Sequence, residues 1–431
     1  MTDGANERGW LRRFSVIWLG QAGSLVGSSL AQFALVWWIT ETTGSATALA
    51  TAALVAMLPG IVLGPFAGAL VDRWNRRTVM VVADGVVALA SAWLAWLLSQ
   101  GRMDIWHIYV ALVIRSLGSS FHWPAMQAST TLMVPKQHLA RVSGANQAIR
   151  GVVEVAAPPL GALLLSLVPL HTIMIIDVAT AALAIVPLLM VAVPQPKRVV
   201  SDDADGLVRA VWRDVRSGVA YVRAWRSLSA LIMLATALNL ILGPAFTLLP
   251  LLVTDHFGGG APELAAIQSA FGFGLVAGGL LLGVWGGFRK RIHSVLVGVI
   301  GTGVGMLLLV AVPPALLAVG LGGALLAGLM NSLCNGAISA VTQERVDPAM
   351  QGRVMTVLSS LAQAMMPLGL AVVGPIADAV GVRMVMLVAI VVQILLGVAA
   401  FGWRTLLALE DGEGAPQPAA ETAPICEPEA A

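Results

Sequence analysis

Five charged side chains stand inside the long apolar runs of the first half of this chain: Asp84, Arg115, Arg150, Glu154 and Asp177. Arg115 and Glu154 each fall near the middle of a run, about 14 Å deep at 1.5 Å per helical residue. Isolated charges at that depth are costly, so they must pair or face water. Arg150 lies one turn before Glu154 on the same helical face, and the spacing predicts a cluster of Arg115, Glu154 and Arg150. Such a cluster can do one of two things. It can take up and release a proton as its wetting changes, or it can be a static ion pair that locks two helices. Asp177 lies two turns into its run and fits either a proton access point or a helix-packing hydrogen bond. Asp84 is closer to an end of its run, near Asp72, and is expected to serve the charged loop there.

That loop runs from Gly64 to Arg77 and reads G-P-F-A-G-A-L-V-D-R-W-N-R-R. Gly64 and Gly68 share a helix face and would let a second helix approach closely in lipid. Asp72, Arg73, Arg76 and Arg77 then force the helix out of hydrocarbon. The expected product is a close-packed helix end with a charged gating clamp.

Polar residues at helical spacing mark faces turned toward a bundle interior or cavity. Gln21, Ser24, Ser28 and Gln32 form one such stripe, and Arg115, Ser119 and His122 form a second. Asn331 and Asn335 begin a third, Asn239 lies in a less regular one, and Gln363 adds a further candidate. These residues are the expected lining of a substrate cavity, the alternative for each being a hydrogen bond between helices.

The elements that must carry these residues follow from composition. Hydrophobic residues make up 58% of the 431 residues and charged ones 11%, against roughly 25% charged in a soluble domain. Twelve apolar segments are long enough to span a bilayer, at about 20 residues each. The expected fold is an all-α membrane protein with twelve transmembrane helices in two pseudo-symmetric six-helix halves. Of the 25 lysines and arginines, all but four fall on the side of the N-terminus. Arg102 and Arg383 fall opposite, and Arg115 and Arg150 lie within spans. By the positive-inside rule both termini are cytoplasmic.

The chain divides into residues 1–193, a cytoplasmic linker at 194–227, residues 228–409 and a disordered acidic tail at 410–431. The linker opens on S-D-D-A-D-G, and its apolar residues then fall at helical spacing among arginines. It reads as an amphipathic helix on the inner membrane surface, with no nucleic acid as partner. Gly64 and Gly68 recur as Gly279 and Gly283. The second copy lacks the charges, however: Gly287 stands where Asp72 would, Ala327 for Arg115, Ala362 for Arg150 and Met366 for Glu154. Cys334 and Cys426 are far apart, and no disulfide is expected. No H-E-x-x-H, P-loop or G-x-S-x-G occurs. The chain is therefore not read as an enzyme, and neither metal nor cofactor is expected.

The Gly64–Arg77 stretch resembles the signature loop between the second and third helices of the major facilitator superfamily, with Asn75 where that family usually has glycine. With R-S-L-G-S-S-F-H-W-P-A at Arg115–Ala125, the chain resembles the branch of macrolide-efflux proteins and siderophore exporters. The resemblance implies alternating access in two six-helix halves, with Arg115 at the place of an arginine linked to proton handling. Pro158 and Gly161 loosely match an antiporter motif in the fifth helix. The implied activity is proton-coupled export of a hydrophobic or amphiphilic small molecule such as a drug or macrolide, by a monomer in the cell membrane. The rivals are export of one metabolite such as a siderophore, and a non-transporting membrane sensor or scaffold.

Overall fold

The computed structural model describes residues 3–191, 193–195 and 204–410, and among these there is no strand. The first half holds α1 (Asp3–Thr43), α2 (Ala46–Arg73), α3 (Arg76–Ser99), α4 (Ile105–Met133), α5 (Leu139–Leu167) and α6 (Leu170–Met190). α7 (Ala204–Ala224) lies in the linker. The second half holds α8 (Arg226–Thr247), the short α9 (Leu249–Leu252), α10 (Ala261–Trp285), α11 (Arg291–Ala311), α12 (Leu317–Arg345), α13 (Pro348–Val380), α14 (Val382–Ala400) and the short α15 (Arg404–Leu407). Setting aside α7, α9 and α15, these are the twelve expected helices. Among the described residues, eleven helices are long and apolar enough to cross a membrane. The twelfth, α4, carries Arg115, Ser116, Ser119, Ser120 and His122 around its middle, and these dilute its apolar character.

Only helices satisfy their own backbone polar groups in hydrocarbon, and small residues decide how closely they pack. In the second half, Gly274 of α10 faces the backbone of α12 at Leu325, and Gly328 of α12 faces the backbone of α10 at Phe271. A methyl group at either glycine would collide with main chain, so these two helices touch backbone to backbone.

The halves meet along two helix pairs, α2 with α13 and α5 with α10. At the end away from the arginine-rich loops, Leu35, Ile39, Ala46 and Leu49 share one buried core with Leu251, Leu252, Leu309, Ala377 and Met386. At the arginine-rich end the cores are separate. Ile17, Val71, Met80 and Leu188 form one in the first half, and Trp225, Leu231, Ile292 and Val341 form one in the second. The halves are thus joined at one end and parted at the other.

Two expectations change on contact with the structure, and a third gains a physical cause. First, α7 does not simply lie on a membrane surface. Its Gly218 is seated against the backbone of Arg353 in α13, and Val222 is buried in the second half's core. The later part of this helix, at Gly218 and Val222, has a protein partner. Second, Glu410 accepts a hydrogen bond from the backbone of Ile292 at 2.7 Å, so it caps α11 and belongs to the fold; residues 411–431, with Cys426, lie outside the described residues, as does the start of the linker's acidic run. Third, the missing acid at Gly287 has a backbone cause. α10 stops at Trp285, and Gly286 and Gly287 take φ of 78° and 84°. That left-handed region favours glycine, so no aspartate stands there.

Candidate functional site

Arg115 does not meet Glu154. Its guanidinium turns from α4 into the interior of the first half and lies 2.5 Å from Asp177 Oδ2 on α6. The same Nη1 donates to Ser91 Oγ of α3 at 2.9 Å, and Nη2 donates to the backbone oxygen of Ser28 on α1 at 3.2 Å. Ser91 Oγ and Ser28 Oγ donate in turn to the two carboxylate oxygens of Asp177, at 2.7 and 2.9 Å. Asp177 is 1% exposed and Arg115 9%. Four helices close on one hydrogen-bonded ion pair, which is how charge survives burial. Ser28, expected in the cavity lining, belongs to this knot. The predicted Arg115–Glu154–Arg150 cluster is therefore corrected: the three share a depth but not a direction, because α5 presents Glu154 toward α10.

Arg150 stacks its guanidinium 3.5 Å above the ring of Trp123, a cation–π contact. The pair lines a pocket of about 210 Å³ with Trp18, Ser119, His122 and Asn146. Trp18 Nε1 donates to Asn146 Oδ1 at 2.6 Å. Behind this pocket, Asp84 accepts a hydrogen bond from Gln21 Nε2 at 3.0 Å and lies 3.4 Å from His122 Nε2. Asp84 therefore serves Gln21 and His122, not the charged loop.

Glu154 lines a cavity of about 350 Å³ between the halves, with Pro158, Phe246, Gln268, Phe271 and Leu309 among its walls. Glu154 and Gln268 are the only polar side chains of that lining. Phe246 and Phe271 meet edge to face, 5.4 Å apart. Among the described residues, no hydrogen bond or ion pair reaches the Glu154 carboxylate. The site offers an apolar, aromatic volume with one uncompensated acid.

The Gly64–Arg77 stretch is also arranged differently from expectation. A Cβ added at Gly64 or Gly68 meets nothing within 4 Å, so no helix approaches there. The glycines lie at the parted end of the molecule. Arg76 Nη1 donates to Ala128 O of α4 at 2.8 Å, and Arg77 Nη2 donates to Leu189 O of α6. These two bonds brace α3 within its own half, where a clamp between halves was expected. Arg73 is exposed, and the side chain of Asp72 lies outside the described residues.

The remaining cavity candidates are not gathered in one pocket. Gln32, Asn239, Asn335 and Gln363 are exposed, and Ser24 is half-buried. Asn335 Nδ2 bonds Asn331 Oδ1 at 3.0 Å, one turn apart, and Asn239 Nδ2 returns to the Ala235 carbonyl. Sequence reasoning missed Ser91 and Asp378. Asp378 Oδ1 accepts the backbone N–H of Ala46 at 2.6 Å, across the two halves. Ser91 sits among apolar residues with no periodic signal. Asp378 had one: an acid at the end of a span, opposite the start of another.

A model of the Major Facilitator Superfamily matches residues 17–370 and, in a second match, 235–426. Macrolide efflux protein A of Streptococcus pyogenes is 32% identical over 374 residues, covering 87% of this chain and 91% of that protein. The multidrug efflux pump Tap of Mycolicibacterium fortuitum is 28% identical over 384 residues, with the same coverage of 87% and 91%. Among solved structures, a bacterial homolog of the human lysosomal transporter Spinster, inward-facing and unoccupied, superposes with a TM-score of 0.70 at 16% identity. It covers 94% of this chain and 99% of that one.

Proposed function

The chain belongs to the major facilitator superfamily, and from that premise we propose that it exports hydrophobic or amphiphilic small molecules, macrolides among them, in exchange for protons. It is a multi-pass membrane transporter and not an enzyme. The observation that carries the proposal is the lone carboxylate of Glu154 in an apolar cavity between two halves that are parted at one end.

The parted end carries the arginine-rich loops. By the positive-inside rule it faces the cytoplasm, with both termini, and the joined end faces out of the cell. A substrate reaches the cavity from the cytoplasm or inner leaflet. Its apolar body packs on Phe246 and Phe271, and its polar groups meet Gln268 and Glu154. Glu154 is exposed on the cavity wall, so its carboxylate is open both to protons and to polar groups of a substrate. A proton and a polar substrate compete for it. When the halves rock to open outward, the substrate leaves and a proton takes its place. The proton drives the cycle only because it binds the two states with different strength. Arg115 and Asp177 hold the first half rigid during that motion. The protein acts as a monomer in the cell membrane.

The test uses inside-out membrane vesicles with an imposed pH difference, acid inside, and a labelled macrolide. Accumulation that collapses when the gradient is discharged is the expected result. Accumulation that ignores the gradient, or none for any amphiphile in a panel, would contradict it.

A further inference from the structure

We propose that Asp378 is the latch that holds the joined end shut, by capping the first turn of α2 from the opposite half. The first N–H groups of any helix lack partners within it. At the start of α2 the supply is divided. Ser45, the N-cap, takes the N–H of Ala48 at 3.2 Å with its own hydroxyl oxygen. The two N–H groups before it are taken by the second half: Ala46 N donates to Asp378 Oδ1 at 2.6 Å and Thr47 N to Oδ2 at 3.0 Å. Ser45 Oγ donates to the same Oδ2 at 3.0 Å. Both oxygens of Asp378 are thus spent on one helix end, where the macrodipole is positive and favours an anion. Charge-assisted bonds of this kind are the stronger ones.

The backbone is arranged to allow it. Gly374 lies one turn before Asp378 in α13. A Cβ there would stand 2.8 Å from Thr47 Cα, 3.0 Å from Ala50 Cβ and 3.2 Å from Ala46 O. Glycine at 374 lets α13 close onto the first turn of α2, and Asp378 then reaches its N–H groups. The same two helices diverge toward the other end, where Gly64 and Gly68 of α2 meet nothing within 4 Å. Opening the joined end must break all three bonds at once. Because Asp378 stands at an exposed rim, water replaces those partners when the halves part. The latch is therefore releasable, unlike the buried Arg115–Asp177 pair.

The inference rests on the alternating-access part of the proposed function, and on neither the substrate nor the proton. Its test is a distance measurement across the joined end. Spin labels go at Gln100→Cys in the turn after α3 and Ala315→Cys in the turn after α11, in full-length protein with Cys334 and Cys426 replaced by serine. Asp378→Asn keeps the shape but loses the charge and turns a donor group toward other donors. It is expected to move the population toward long distances by roughly tenfold, given the strength of bonds to a charged group. Ser45→Ala should move it in the same direction by less, and Asp378→Glu should recover part of the closed population. An Asp378→Asn protein that melts earlier while its distance distribution matches the parent's would overturn the latch and leave a purely structural aspartate. If Asp378→Asn does not fold, Ser45→Ala decides by the same readout. A parent whose distances never change, with any macrolide or pH, would instead overturn alternating access itself.

Discussion

Two regions of the molecule hold a carboxylate at membrane depth, and they treat it in opposite ways. In the interior of the first half, Asp177 is closed off by Arg115, Ser91 and Ser28. In the wall between the halves, Glu154 has only Gln268 as a polar neighbour in its cavity and no bonded partner among the described residues. A buried charge held by an ion pair and by hydroxyl donors from two further helices belongs to the scaffold, since breaking it leaves its partner stranded. A charge left unsatisfied where two moving bodies meet is available for exchange. An acid within a membrane span is a functional hypothesis by default, and its surroundings decide which function.

The contrast can be broken most forcefully at the knot. Asp177→Ala strands Arg115 and should lower stability by about 3–5 kcal/mol, as should Arg115→Ala. The double variant should lose less than the sum, because the pair is one unit. Thermal unfolding in detergent measures all three. If Asp177→Ala melts with the parent, the scaffold role is wrong.

Glycines sharpen the comparison at a smaller scale. Gly328→Ala drives a methyl group into the backbone of α10 at Phe271 and should cost about 1–3 kcal/mol of overpacking. Gly68→Ala, with open space around it, should leave stability within about 0.5 kcal/mol of the parent. If the parted end closes on this face during the cycle, Gly68→Val slows transport while its melting temperature stays put. Paired thermal and vesicle-uptake measurements separate the two kinds of glycine. A Gly68→Ala protein as unstable as Gly328→Ala would mean that α2 is already packed there.

Topology was the most legible part of this chain, because the bilayer allows few alternatives. Run length fixes the number of spans, and arginine placement suggests their sidedness. The polar stripe of α4 was legible as a stripe, but not that it leaves this helix outside those apolar enough to cross a membrane by composition alone. What could not be read was rotation about each helix axis. Arg115 and Glu154 lie at similar depth, and depth is all that spacing supplies. Whether α4 turns Arg115 toward α6 or toward α5 is decided by packing of helices distant in sequence. Gly64 and Gly68 illustrate a second limit: a pattern for close approach does not say in which state the approach occurs. Asp378 shows a third. Its partners are backbone N–H groups more than three hundred residues away, and a backbone donor has no sequence signature.

The central claim is that Glu154 carries the exchanged proton while Asp177 does not. Substrate-induced proton release from purified protein, followed with a pH-sensitive dye in weak buffer, tests it directly. The parent should release protons when a macrolide is added. Glu154→Gln should still bind the macrolide and keep the parent's stability, yet release none. Undiminished release by Glu154→Gln, or release abolished by Asp177→Asn in a protein that still binds, would contradict the account and move the proton to the buried knot.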